Sequence, residues 1–156
     1  MENEDNASGG RGSVGRNGWR RESGVEAKGF YELEVYRNSY KGMILIFRQI
    51  IPFLPKEERF DLVDQLRRSA KAIPRLIAEG HSKRHQNKGF QKYIDDAHAE
   101  SNETIVSLSQ VRDLYASPDK CAVYNELIDL YDMISRQLFN LALSWEKFHR
   151  RKPLDA

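Results

Sequence analysis

Residues 65–80, QLRRSAKAIPRLIAEG, decide how the rest of the chain is read. They hold a double arginine, a proline inside a helical pattern and a terminal glycine. On a helical wheel Asp64, Arg67, Arg68, Lys71, Arg75 and Glu79 share one arc. Leu62, Val63, Leu66, Ala70, Ile73 and Ile77 share the opposite arc. One face is therefore a core face and the other concentrates positive charge. Pro74 removes one helical hydrogen bond and is expected to bend the helix. Gly80 stands where a left-handed C-terminal cap is expected.

Working outward, the same 3–4 spacing recurs in three further segments. Helix one is expected from about 31 to 51, with the seam Leu33, Tyr36, Tyr40, Met43, Phe47 and Ile50. Pro52 and Pro55 end it and open helix two, at about 56–79. Helix three is expected over 87–116, with Phe90, Ile94, Ala97, Ser101, Thr104, Leu108, Val111 and Tyr115 inward. Ser117-Pro118-Asp119 then starts helix four, whose seam is Tyr124, Leu127, Tyr131, Ile134, Leu138, Leu141, Trp145 and Phe148. A period near 3.5 and short connections predict an all-α, antiparallel, up-down-up-down four-helix bundle.

The bundle domain is expected over 30–150, with a C-terminal tail at 151–156. Residues 1–29 hold seven of the ten glycines and few large apolar groups. Such composition cannot offset its ordering entropy, so a disordered Gly-rich tail is expected there. Cys121 is the single cysteine, which excludes an intramolecular disulfide and fits a reducing, cytoplasmic setting. The longest aliphatic and aromatic run, 43–47, is far short of a membrane span. Helices one and four carry more apolar groups than one seam needs. A second contact surface, and hence a homo-oligomer, is favoured over a bundle that wraps its faces broadly around the core.

Charge is unevenly laid out. Residues 65–92 have eight bases and one acid, whereas 93–132 have two bases and nine acids. Phosphates are the natural ligand of the first segment. Candidate nucleic-acid contacts are Lys71, Arg75, Lys83, Arg84, Lys88 and Lys92, with His81 and His85 able to join below neutral pH. Arg67, Arg68 and Glu79 are read as architectural, the arginines pairing with acids of helices three and four within or between subunits. For Lys83, Arg84, Lys88 and Lys92, RNA contact and plain solvation stand level. His81 and His85 lack neighbouring carboxylates or cysteines, so no metal site is assigned. No phosphate-binding glycine loop, nucleophile elbow or Glu-x-x-His pair occurs. No catalytic residue, cofactor or small-molecule substrate is nominated, and an enzyme is not expected.

Gln65, Leu66, Arg67, Arg68, Ala70, Ile73, Pro74, Ile77, Ala78, Glu79 and Gly80 also carry a resemblance. They resemble the core motif of the four-helix bundle family that includes the protein encoded in bacterial 23S ribosomal RNA intervening sequences. Leu33-Glu34-Val35-Tyr36, the 53–60 junction and Lys88-Gly89-Phe90 extend the likeness to about 30–148. Ala72, Leu76 and Glu100 depart from the family pattern, which has Ser, Asn and Gly there. The resemblance implies a homopentameric, barrel-like assembly. A related branch serves as the accessory protein of diversity-generating retroelements and binds reverse transcriptase and RNA. Two functions are therefore expected to compete. One is an oligomeric scaffold contacting structured RNA. The other is a protein-interaction module, such as a reverse-transcriptase accessory subunit, whose charged faces pair between subunits.

Overall fold

The computed structural model describes residues 29–86 and 88–150, the last three of these by backbone alone. The N-terminal and C-terminal tails expected from the sequence lie outside the described residues, apart from Gly29. The described residues form four long helices and no strand. Helix α1 spans Glu34–Leu45, α2 Leu62–Ser82, α3 Gly89–Tyr115 and α4 Cys121–Arg150.

Side-chain contacts set the direction of every pair. Between α2 and α3, Gly80 faces Tyr93 and Ser69 faces Thr104, so numbers rise on one helix as they fall on the other. Between α3 and α4, Ser101 meets Ser135 and Phe90 meets Trp145. Between α1 and α4, Gly42 meets Tyr131 and Asn38 Nδ2 donates to Gln137 Oε1. All three pairs are antiparallel, as the short connections require.

The expected core of α3 and α4 matches the buried set closely. Phe90, Ile94, Ala97, Leu108 and Val111 are buried, as are Tyr124, Leu127, Tyr131, Ile134, Leu138 and Leu141. Trp145 is only partly buried, packed against that core, and Tyr115 departs furthest. It is exposed, and its hydroxyl donates to Glu58 Oε1 in the 3-10 turn that precedes α2. The Phe148 side chain lies outside the described residues.

Helix α1 is turned by one position relative to its expected seam. The two ends of the seam, Leu33 and Ile50, are buried as expected, but between them Val35, Ser39, Gly42 and Ile46 are buried, whereas Tyr36, Met43 and Phe47 only flank the core and Tyr40 is exposed. The reason is steric. A Cβ on Gly42 would lie 2.9 Å from the ring of Tyr131, which is itself fully buried. Small residues bring α1 against that ring, and the larger residues beside them are left outside. Gly42→Ala is therefore expected to destabilise the protein by roughly 1–3 kcal/mol through overpacking. That is the opposite of alanine's ordinary helix advantage of about 1 kcal/mol over glycine. Urea denaturation measures the sign.

Two ends also differ from expectation. Pro52 has no N–H for the Arg48 carbonyl, so the α ladder cannot continue through it. The chain widens to a π turn over Ile46–Ile50, where the Ile51 N–H reaches the Ile46 carbonyl, then tightens to a 3-10 turn over Ile51–Phe53. Helix α2 begins at Leu62 rather than near 56, with its first N–H donated to Glu58 Oε2 at 3.3 Å. It runs through Pro74 and past Gly80 to Ser82. Gly80 is thus a helical residue and not a left-handed cap. Its missing side chain serves packing: a Cβ there would stand 3.0 Å from Tyr93 Cβ.

Small hydroxyl residues line the contact of α2, α3 and α4. Thr104 Oγ1 donates to the Glu100 carbonyl at 2.9 Å and meets Ser69 Oγ at 2.9 Å. Ser135 Oγ donates to Ser101 Oγ at 2.8 Å, which donates to the Tyr131 carbonyl at 3.1 Å. Each of these hydroxyls is satisfied internally, so hydrogen bonds offset the cost of desolvating them at the close helix contact.

Candidate nucleic-acid interface

The outward arc of α2 positions Arg67, Lys71 and Arg75 one turn apart, because residues four apart share a helix face. The Arg67 guanidinium lies 5.1 Å from the Phe47 ring centroid, and Lys71 Nζ lies 6.0 Å from the same ring. Arg75 Nε donates to the Lys71 carbonyl at 3.2 Å. None of the three forms an ion pair among the described residues. Arg68 differs: it pairs with Asp64 at 3.3 Å and donates to Gln65 Oε1 at 3.0 Å. Glu79 pairs with Lys83 at 3.3 Å. Arg67, Arg68 and Glu79 are exposed on α2, and no ion pair among the described residues joins them to α3 or α4. Pro74 is buried and Gln65 half-buried.

An open groove of about 390 Å³ runs between α1 and α2. Phe30, Tyr36, Tyr40 and Met43 form one wall, and Lys71, Pro74, Arg75 and Ala78 form the other. Phe30 packs edge-on to Tyr36 at 5.0 Å, and Tyr36 follows Tyr40 at 6.0 Å. The aromatic wall is the row that the sequence places in the core. Its signal was present one position away, where Val35, Ser39, Gly42 and Ile46 form the alternative seam with small residues in the middle.

The remaining bases gather at the turn between α2 and α3, apart from that groove. Lys83 Nζ binds Glu79 and the Tyr93 hydroxyl and sits 4.4 Å from the Tyr93 ring centroid. The Tyr93 hydroxyl, then Glu79, raise the Lys83 pKa, so it stays cationic. Arg84 Nη1 donates to the His81 carbonyl at 2.8 Å. Lys88 and Lys92 are exposed and form no ion pair among the described residues.

His81 is a helix residue and not part of the turn that follows α2. It lies in the last turn of α2, 8% exposed. Burial, then Arg84, lowers its pKa, so it does not readily add charge to the basic surface in mild acid. The unfolded chain takes up this proton first, near pH 6.5. The stabilising contribution is therefore complete above pH 6.5 and is lost as pH falls through 6.5 toward the lower folded value. His81→Gln is expected to flatten the pH dependence of the urea midpoint in that window.

Among the described residues no group of three or more His, Cys, Asp or Glu side chains is placed to hold a metal ion. Cys121 is partly exposed, with Sγ 3.6 Å from the Ser117 carbonyl. No described helix is long and apolar enough to cross a membrane.

The family model described as 23S rRNA-intervening sequence protein matches residues 31–140, which includes α1, α2, α3 and most of α4. No curated protein matches the chain.

Proposed function

The chain belongs to the 23S rRNA-intervening sequence protein family, and from that premise we propose that it is a non-enzymatic oligomeric scaffold that holds structured RNA. The observation that carries this reading is the row Arg67, Lys71 and Arg75, which has no acidic partner among the described residues. Lys88 and Lys92 extend the positive surface at the α2–α3 turn. Cations spaced along one face match phosphates better than they match each other.

Binding of a structured hairpin RNA across a salt series tests this. The expected result is affinity that falls steadily as salt rises. No binding at low salt, or binding indifferent to salt, removes the reading.

A second reading is favoured by the acidic side. Asp95, Asp96, Glu103 and Asp129 are exposed and also form no ion pair among the described residues. Basic and acidic faces that pair between subunits, or with a partner such as a reverse transcriptase, would leave each face unpaired in one chain. Met133, Phe139 and Leu143 on α4 supply exposed apolar area for such contacts. A homopentamer is the assembly proposed, and light scattering at micromolar concentration measures it. A monomer there contradicts the assembly. An oligomer that survives charge reversal at Arg67 or Arg75 contradicts charge pairing as its cause.

A further inference from the structure

The geometry points to the α1–α2 groove as a receptor for an unpaired RNA nucleotide, whose base stacks on Tyr40 while Lys71 and Arg75 hold its flanking phosphates. This rests on the RNA reading above and narrows it to one part of the RNA. The fold does not need this aromatic wall inside: Val35, Ser39, Gly42, Ile46 and Ile50 make the core face of α1. Tyr40 remains 47% exposed, and the groove at about 390 Å³ falls in the size range of ligand pockets, roughly 300–1,000 Å³.

Two chemistries meet in this space. The first wall offers ring faces, which take a planar base by stacking without regard to its identity. The second offers two cations, and no acid among the described residues lines the groove. An apolar peptide would leave Lys71 and Arg75 without partners. A paired RNA stem would leave the rings unused, because its bases are already stacked inside the helix. A splayed nucleotide satisfies both walls at once.

The test uses the full chain and two hairpin RNAs with equal numbers of phosphates, one fully paired and one carrying a bulge of unpaired adenosines. Fluorescence anisotropy gives both affinities at one low salt concentration. The wild-type protein is expected to bind the bulged RNA roughly 5- to 100-fold more tightly, the range for one base stacked on an aromatic side chain. Tyr40→Ala is expected to erase that preference and keep the binding of the paired hairpin. Tyr40→Phe, which retains the ring, is expected to preserve it.

Equal wild-type affinity for the two hairpins overturns the nucleotide groove and leaves the RNA reading standing. Absence of binding to either overturns both. A Tyr40→Ala protein that keeps the preference overturns the assignment to this groove. A Tyr40→Ala protein whose mass in solution changes assigns the groove to a second copy of the chain, and overturns it as well. The wild-type comparison needs no variant, so a poorly folding Tyr40→Ala does not rescue the inference.

Discussion

Tyr131→Ala is expected to cost the fold about 3–5 kcal/mol, the range for emptying a large aromatic site in a packed core. Tyr131 is fully buried on α4, and its ring is the surface against which Gly42 of α1 closes. α1 is held through lighter interfaces with α2 and α4 than those that α3 makes with the same two helices. Loss of the ring therefore removes contacts from the helix with the fewest to spare. The hydroxyl contributes nothing comparable. It is buried with no hydrogen-bond partner among the described residues, and burial pushes its pKa well above the ordinary tyrosine range. Tyr131→Phe is accordingly expected to stay within about 1 kcal/mol of wild type, on the stabilising side, because an unsatisfied buried group is removed. Urea midpoints of the two variants separate packing from polar effects. A Tyr131→Phe protein as unstable as Tyr131→Ala would show that the hydroxyl has a partner.

Lys71→Gln combined with Arg75→Gln is expected to weaken binding of structured RNA on the order of 10- to 100-fold at low salt, with little dependence on RNA sequence. Both side chains point away from the core, and glutamine keeps much of their aliphatic stem. Among the described residues neither charge has an acidic partner whose loss would destabilise the fold. Circular dichroism is therefore expected to be unchanged while anisotropy reports the loss. The paired change Lys88→Gln with Lys92→Gln asks whether the α2–α3 turn contributes separately. Lys83 is the less informative choice there, because it already binds Glu79 and Tyr93.

The bundle and its order were legible because α3 and α4 place large apolar residues at every third or fourth position. The ends and the register of α1 were not. Ser39 and Gly42 carry no hydropathy signal, yet they face the core, since depth there is set by the Tyr131 ring across the interface. A seam chosen by side-chain size selects Tyr36, Tyr40, Met43 and Phe47 and is rotated by one position. Gly80 misled for a related reason. A glycine near a helix end suggests a left-handed cap, whereas here it admits Tyr93 from α3. The same glycine hides His81, which lies buried in the last helical turn that runs past it.

The candidate site divides in the same way. Its cations were legible because charge density is a local property, and the segment 65–92 stands out against the acids that follow it. Their surroundings were not. That Arg67 and Lys71 lie against Phe47, and that Lys71 and Arg75 share a groove with Tyr36 and Tyr40, are facts of tertiary packing between α1 and α2. Within one chain Arg68 and Glu79 each pair with a residue four positions away on α2 or at its end, a local contact that the pattern of acids on α3 and α4 does not reveal. Such pairs are worth only ~0.3–0.5 kcal/mol, so they explain little of the stability.

The most direct test of the account is the salt slope of RNA binding, measured for the wild-type chain and for the Lys71→Gln, Arg75→Gln double variant on one hairpin RNA. Each phosphate contact contributes about 0.7–0.9 to the slope of log affinity against log salt. A clearly negative wild-type slope and a variant slope shallower by roughly 1.4–1.8 are expected. Superimposable slopes for the two proteins, or a wild-type chain that does not bind at low salt, would contradict that expectation.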